Sequence, residues 1–415
     1  MANNLLTISK ITNEALMVLE NELTFTSEVD RNYDDQFAVV GGKIGNTVNV
    51  RRPGRFIGTT GPALNVEDFN ETSVPVTLST QFHVDTQFTT QDLALSLDMF
   101  SDRVLKPAVA AIANKIDRDG LLLAKNATAN IVGTAGTPPT GLITYLTAGA
   151  YLDAEGAPRD GRRSCTVEPF TSATIVDSLK GLFVPQEAIG EQYRKGLMGR
   201  DSGGMNWKMD QNVVSHQFGS YSSAVLSCNV TTATGFLTSG WASSSNITIA
   251  ATSAASASLN QGDVITIAGV YAVNPQNRQA YGSNKLRNFV VNSAVTIASS
   301  GSAIVNVSPA VITAGQFQNV SVQSTGSQAV TPFNNTGVVS PQNIIMHRNA
   351  FTLAVADLEL PDGVHFAGRA SDKEIGLSMR VVRQYTINND SIPTRLDVLY
   401  GWAPLYPELA CRVAA

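Results

Sequence analysis

The chain is poor in charge. Lys, Arg, Asp and Glu make up 15% of its 415 residues, and the net charge is −5. A dedicated nucleic-acid binder carries a basic excess, and none is present here. Cysteine is scarce as well: Cys165, Cys228 and Cys411 are far apart and odd in number. They fit neither a metal-binding spacing nor a disulfide framework, which leaves free thiols in a reducing compartment as the expectation. No run approaches the ~18 consecutive apolar residues of a membrane span. Residues 1–10 lack the basic segment and apolar core of a secretory signal. The expectation is a soluble, weakly acidic protein made inside a cell, with no membrane partner.

Catalytic signatures are missing too. The four histidines, His83, His216, His347 and His365, form no metal-binding pattern. There is no Gly-x-Ser-x-Gly elbow. Gly41-Gly42-Lys43 lacks the spacing and the following Ser/Thr of a phosphate loop. Asp117 and Asp119 flank an Arg on a helix and point apart, so a solvated face is expected rather than an acid pair. No catalytic residue, cofactor or metal is assigned.

What the chain does have is length and pattern. At 415 residues it can bury a large core and form two or three domains. Residues 90–126 read as one long amphipathic helix. Thr90 caps it, and Leu93, Leu97, Phe100, Val104, Ala108, Ile112 and Ile116 recur at helical spacing. At the standard rise such a helix is roughly 50 Å long. Pro107 is expected to bend it without breaking it, because the apolar phase is kept across the proline.

Before this spine lies an arm, residues 1–40, with a short helix carrying Leu16, Leu19 and Leu23 and an acidic run at 28–35. A hairpin follows over 41–89. Its first strand holds Val48 and Val50, and its second alternates Val74, Val76, Leu78, Phe82 and Val84 with polar residues. Arg51, Arg52 and Arg55 crowd the bend at Pro53-Gly54. Three guanidinium groups so close repel one another unless carboxylates or carbonyls approach. The expected partner is an acidic stretch of a neighbouring subunit, either 28–35 or Asp98 and Asp102 of the spine.

After the spine, which with its exit extends to 135, mixed helices and strands fill 136–228. Helices are expected at 142–152, 169–183 and 186–196, and a strand at 164–167. Composition then shifts abruptly. Residues 229–330 contain four charged side chains, Asp263, Arg278, Lys285 and Arg287. Six short strands, near 247–250, 263–268, 288–291, 294–297, 303–307 and 320–322, suggest a small antiparallel barrel or sandwich inserted into another domain. The first domain resumes over 331–415, with strands near 343–347, 377–385, 394–400 and 409–413 and a helix over 349–358.

Arm, hairpin, spine, mixed α/β region and β insert, in that order, resemble a tailed-phage major capsid protein. The resemblance is to the coat proteins of short-tailed enterobacterial phages. It is carried by Asn46-Thr47-Val48, by residues 90–98, by Gln261-Gly262-Asp263-Val264-Ile265-Thr266-Ile267-Ala268-Gly269-Val270, by Phe366-Ala367-Gly368 and by Cys411-Arg412-Val413. The Gly-Asp strand is its most specific piece.

The resemblance implies an α+β Hong Kong 97-type fold: N-arm, extended E-loop, peripheral domain with the spine helix, and axial domain, here with an inserted small all-β barrel. It implies self-assembly into pentamers and hexamers of an icosahedral shell around packaged DNA, held only non-specifically. The implied partners are a scaffolding protein, a portal protein and a decoration protein. The implied location is the virion, after assembly in the host bacterial cytoplasm. The relatives' long charged loop, which links capsomers, has no counterpart here: 235–260 is short and uncharged, and 274–287 stands as its replacement. Candidate inter-subunit contacts are therefore Arg51, Arg52, Arg55, Arg278, Lys285 and Arg287. A Ser/Thr-rich β surface or adhesive protein is the alternative, and an enzyme with scattered site residues comes third.

Overall fold

A computed structural model describes residues 23–31, 45–89, 106–178, 203–221, 225–230, 235–252, 255–281, 285–334, 337–372 and 377–415. The expected arm helix, residues 90–105 of the spine and the helix at 186–196 lie outside the described residues. The chain divides into two units. One comprises residues 1–50, 74–120 and 351–405, the other 51–73, 121–350 and 406–415. The fold is α+β and rich in strands, with three α-helices among the described residues: α1 Lys106–Ala127, α2 Leu142–Ala154 and α3 Pro169–Ser178.

In the first unit, the strand Ser391–Pro404 is the backbone of a five-stranded antiparallel sheet. One edge pairs with Thr80–Thr89 through ten residue pairs, and the other is shared by Leu377–Arg383 and Phe351–Ala356. Phe366–Asp372 extends the sheet beyond Leu377–Arg383. Helix α1 buries Val109, Ile112, Ala113 and Ile116, a stripe at i, i+3, i+4 and i+7. Gly120 is the close-approach point of this helix. A Cβ there would stand 2.6 Å from the indole of Trp402, so no larger residue fits without moving the tryptophan.

Three expectations change here. The hairpin's second strand is two strands. Thr72–Thr77 pairs with Thr47–Arg52, whereas Thr80–Thr89 joins Ser391–Pro404. One alternating pattern serves both, since alternation records a half-buried face and not a partner. The helix expected at 349–358 is a single 3-10 turn, Arg348–Ala350, followed by the strand Phe351–Ala356. Its apolar run is buried on both sides, and such a run reads equally as helix or strand until pairing decides. Asp117 is not solvated: it is 1% exposed. Its carboxylate accepts from Thr24 N at 2.8 Å, Thr26 N at 3.0 Å and the Thr26 hydroxyl. Asp119 does point elsewhere, to Lys115 Nζ at 2.6 Å and the Tyr400 hydroxyl at 2.7 Å. Burial raises the Asp117 carboxyl above its ordinary range, with these donors opposing.

In the second unit, a mixed sheet runs Ile131–Gly133, Ala410–Ala414, Val339–His347, Arg163–Val167, Asn206–Met209. Tyr145, Ala148 and Leu152 of α2 and Ile175 of α3 pack on one face, against Cys165, Val167, Ile345, Cys411 and Val413. The cysteines are free thiols, and burial pushes Cys411 up to about 12 and Cys228 up to about 11.

Six further strands close on themselves by antiparallel pairing: Leu226–Asn229, Ser245–Ala251, Ser302–Ser308, Leu286–Val291, Val264–Ala272 and Ser327–Pro332, the last returning to Leu226–Asn229. Closure leaves no strand of the ring with a free edge. The interior is aliphatic, with Ile247, Ile249, Ile265, Ile267, Phe289, Val305 and Val307 among its members. Leu226–Asn229 and Ser327–Pro332 carry too little apolar character to be read from sequence.

Asp117→Ala would strand two buried donors on Thr26 and a part-buried one on Thr24, and each unpaired buried donor costs about 1–3 kcal/mol. The expected outcome is a lower Tm and faster tryptic cleavage after Arg31, followed by mass spectrometry. Asp117→Asn, which keeps one acceptor, should fall between the two.

Candidate functional site

Each of the four charged residues of 229–330 has a contact outside that range. Arg278 donates from Nη2 to the carbonyl of Phe56 at 2.6 Å. The Lys285 ammonium lies 3.1 Å from the centre of the Tyr151 ring. Arg287 is ion-paired with Glu155 at the end of α2, and both side chains are nearly inaccessible. Asp263 accepts a hydrogen bond from the His216 side. A segment with so little charge spends all of it on docking.

Glu155 is the centre of a charge knot. Burial raises its carboxyl, Arg287 opposes that rise, Glu408 adds to it and Arg55 opposes it. Burial also lowers the Lys285 ammonium. Arg52 is 14% exposed, 3.9 Å from Glu408, with its guanidinium 4.6 Å from the Tyr406 ring and 5.7 Å from that of Trp241. Tyr281 donates its hydroxyl to the Ala154 carbonyl. The knot thereby ties the loop of residues 51–73, the end of α2, residues 281–287 and the C-terminal segment together. A second tie to that loop comes from Gln316 Nε2, 2.6 Å from the Asp68 carbonyl.

The structure therefore brings Arg52, Arg55, Lys285 and Arg287 to one place and gives them partners within their own chain. Arg278 holds the loop separately. Arg51 stands apart, 76% exposed, with Glu71 at 3.5 Å. Sequence reading missed Glu155 and Glu408, which no motif marks. Beyond Arg51 the loop carries an exposed apolar row: Phe56, Ile57, Leu64, Val66 and Phe69. Phe56 stacks on Phe69 at 5.9 Å, and Glu67 accepts from Ile57 N and Gly58 N at 2.7 and 2.6 Å.

A second polar cluster is buried between the ring and the mixed sheet. Asp263, at 1% exposure, takes Asn260 N at 2.7 Å and Gly219 N at 3.1 Å on one oxygen, and His216 Nε2 at 2.8 Å on the other. His216 Nδ1 lies 3.3 Å from Lys125 Nζ at the end of α1. Arg412 adds a third charge, after Asp263 and Lys125, from the strand Ala410–Ala414. Burial lowers Lys125 to about 8 and Arg412 to about 10. His216 is lowered by burial, against the pull of Asp263. Two of the stretches that carried the resemblance, Gly262-Asp263 and Cys411-Arg412-Val413, meet in this cluster. Among the described residues, no group of His, Cys, Asp and Glu is arranged to hold a metal, and no helix is long and apolar enough to cross a membrane.

Docking contacts of this kind suit a structural protein, and the comparisons say which. The chain belongs to the P22 coat protein family, gene protein 5, whose pattern matches residues 1–412. It is a major capsid protein of a tailed phage, a component of the virion shell. Solved structures similar to it include one titled Mycobacterium phage Che8, at 11% identity and TM-score 0.43 over 94% of this chain and 90% of that one. Another is the mature capsid of bacteriophage PhiM1, at 10% and 0.44 over 90% and 82%. A third is the capsid of Ralstonia phage GP4, at 8% and 0.42 over 92% and 84%. No curated protein sequence matches.

Two outcomes follow from the buried cluster. Asp263→Asn would leave Lys125 and Arg412 without their anion, and removing one partner of a buried pair costs about 3–5 kcal/mol. Chemical denaturation of the soluble chain should show that loss. Lys125 has a folded pKa below its unfolded one, so the unfolded chain binds the extra proton and stability from this group rises as pH climbs through about 8 towards 10.5. Lys125→Met should therefore melt higher than the wild type near neutrality, with the gap closing as pH rises; differential scanning calorimetry at matched ionic strength reads both.

Proposed function

We propose that the chain builds an icosahedral shell of the Hong Kong 97 type, with residues 1–40 as the N-arm, 41–89 as the E-loop, 90–135 as the spine, 136–228 and 331–415 as peripheral and axial domain, and 229–330 as an inserted β-barrel. The family match over residues 1–412 is the observation that carries this reading. The closed ring of strands supports the barrel assignment.

Pentamers and hexamers form from copies of this chain on a scaffolding protein, with a portal at one vertex and a decoration protein outside. Assembly takes place in the host cytoplasm, and DNA is enclosed without sequence recognition. No catalysis and no cofactor enter. Each contact between subunits is weak, and closed symmetry multiplies it.

Within this scheme the charge knot orders the loop of residues 51–73 on its own subunit. Arg51 and the apolar row are then presented to the next one. Expression with the scaffold, followed by sedimentation and negative-stain microscopy, should give closed particles; a chain that stays monomeric at all concentrations sinks the proposal. Arg51→Glu should lower particle yield while leaving the melting of the monomer unchanged, because an exposed pair contributes only about 0.2–1 kcal/mol. Arg52→Glu should instead weaken the monomer itself, since its partners Tyr406 and Glu408 are its own.

A further inference from the structure

The buried cluster has more positive charge than its carboxylate balances. Lys125 and Arg412 are each cationic, Asp263 is anionic, and His216 bridges as a neutral ring, giving hydrogen to Asp263 from Nε2 and accepting from Lys125 at Nδ1. The charges acting on Arg412 are those of Asp263 and of Cys411, and burial keeps that thiol protonated. One positive charge remains in a place with 0% exposure at Arg412 and 7% at Lys125. Uncompensated charge in such surroundings is costly.

The hydrogen bonds are out of balance in the same place. Nε, Nη1 and Nη2 of Arg412 are all buried and have no hydrogen-bond partner. The oxygens of Asp263 accept from His216, Gly219 and Asn260, and none of the Arg412 nitrogens bonds to them. Asn126 adds a buried side-chain oxygen without a partner, and its amide can be turned to present NH2 instead. Beside these groups the chain places Gly262 at φ +96°. A Cβ there would come within 3.1 Å of Asn126 Oδ1 and 3.4 Å of Lys125 Nζ and His216 Cε1. The glycine thus keeps a small cradle open next to Lys125.

We propose that this cluster is an internal binding site for one small monovalent anion of the halide class, held by the guanidinium of Arg412 with Lys125 as the second cation. One unit of negative charge closes the sum. A doubly charged phosphate or sulfate overshoots it and pays more for losing its water. Neighbours in sequence of the cluster's residues, Phe218, Val264 and Ala414, pack with Ile131 into an apolar cluster, and such low-polarity surroundings favour a weakly hydrated ion over a strongly hydrated one. The anion joins three segments, the end of α1, the start of the strand Val264–Ala272 and the strand Ala410–Ala414, so its occupancy sets how firmly the insert is seated.

Melting of the purified full-length chain in sodium chloride, sodium bromide and sodium gluconate at equal ionic strength tests this. Chloride and bromide should raise Tm along a saturating curve, as ligand linkage requires, and gluconate should not. Arg412→Met should lose that response. If Arg412→Met does not fold, Gly262→Ala serves instead, since its methyl group fills the cradle and should weaken or abolish the halide response. Equal curves in all three salts, or a full halide response in Gly262→Ala, overturn the proposal. Bromide anomalous scattering from crystals of the unaltered chain locates the ion: a peak beside the Arg412 guanidinium supports the site, and density there that fits only water refutes it.

Discussion

The carboxylate of Asp263 is the constraint on which the second unit depends. It is buried with two cations near it and satisfied by two backbone amides and a histidine. A buried charge with fixed partners tolerates very few alternative arrangements. An apolar contact can slide by a methyl group at small cost, whereas this carboxylate cannot exchange partners without leaving one bare. Because its donors come from His216 and Gly219, before the ring, and from Asn260, with Lys125 of α1 reaching it only through His216, the seat of the ring is specified by polar geometry while its interior is held by aliphatic packing.

The low charge of residues 229–330 makes sense in that light. A small ring of strands with Ile and Val inside needs no ion pairs to be stable. Charge on its surface would repel or attract neighbours without direction. The chain instead keeps four charges and directs each to a named partner: Arg278 to Phe56, Lys285 to Tyr151, Arg287 to Glu155 and Asp263 to His216. In a shell protein, where the same surfaces recur many times, every stray charge would also recur many times.

Much of this was legible in the sequence, and the failures have physical causes. Sequence pattern located α2, three strands of the mixed sheet, Arg163–Val167, Val339–His347 and Ala410–Ala414, and six strands within 229–330, while Ile131–Gly133 and Asn206–Met209 were missed because three or four residues are too short to show a period. It failed at 351–356, where both faces are buried, and at Leu226–Asn229 and Ser327–Pro332, whose Ser, Asn and Gln side chains hide the pairing. The basic residues of the hairpin bend and of 229–330 were singled out as contacts between subunits. Their partners were sought in another subunit, and for Arg52, Lys285 and Arg287 the same chain provides them. Charge pattern records that a cation needs a partner; it holds no information about which chain brings one.

The sequence by itself determined the aliphatic, charge-poor character of 229–330 and, through the Gly-Asp strand and the Cys-Arg-Val triplet, the family. These are local properties, fixed by side-chain type and spacing within a few residues. Only the tertiary structure decided that Gly262-Asp263 and Arg412, 149 positions apart by the numbering of Asp263 and Arg412, act on one another, and that Glu155 and Glu408 share a set of arginines. Long-range electrostatics has no period along the chain, so it becomes visible only when the fold has brought the charges within reach of each other.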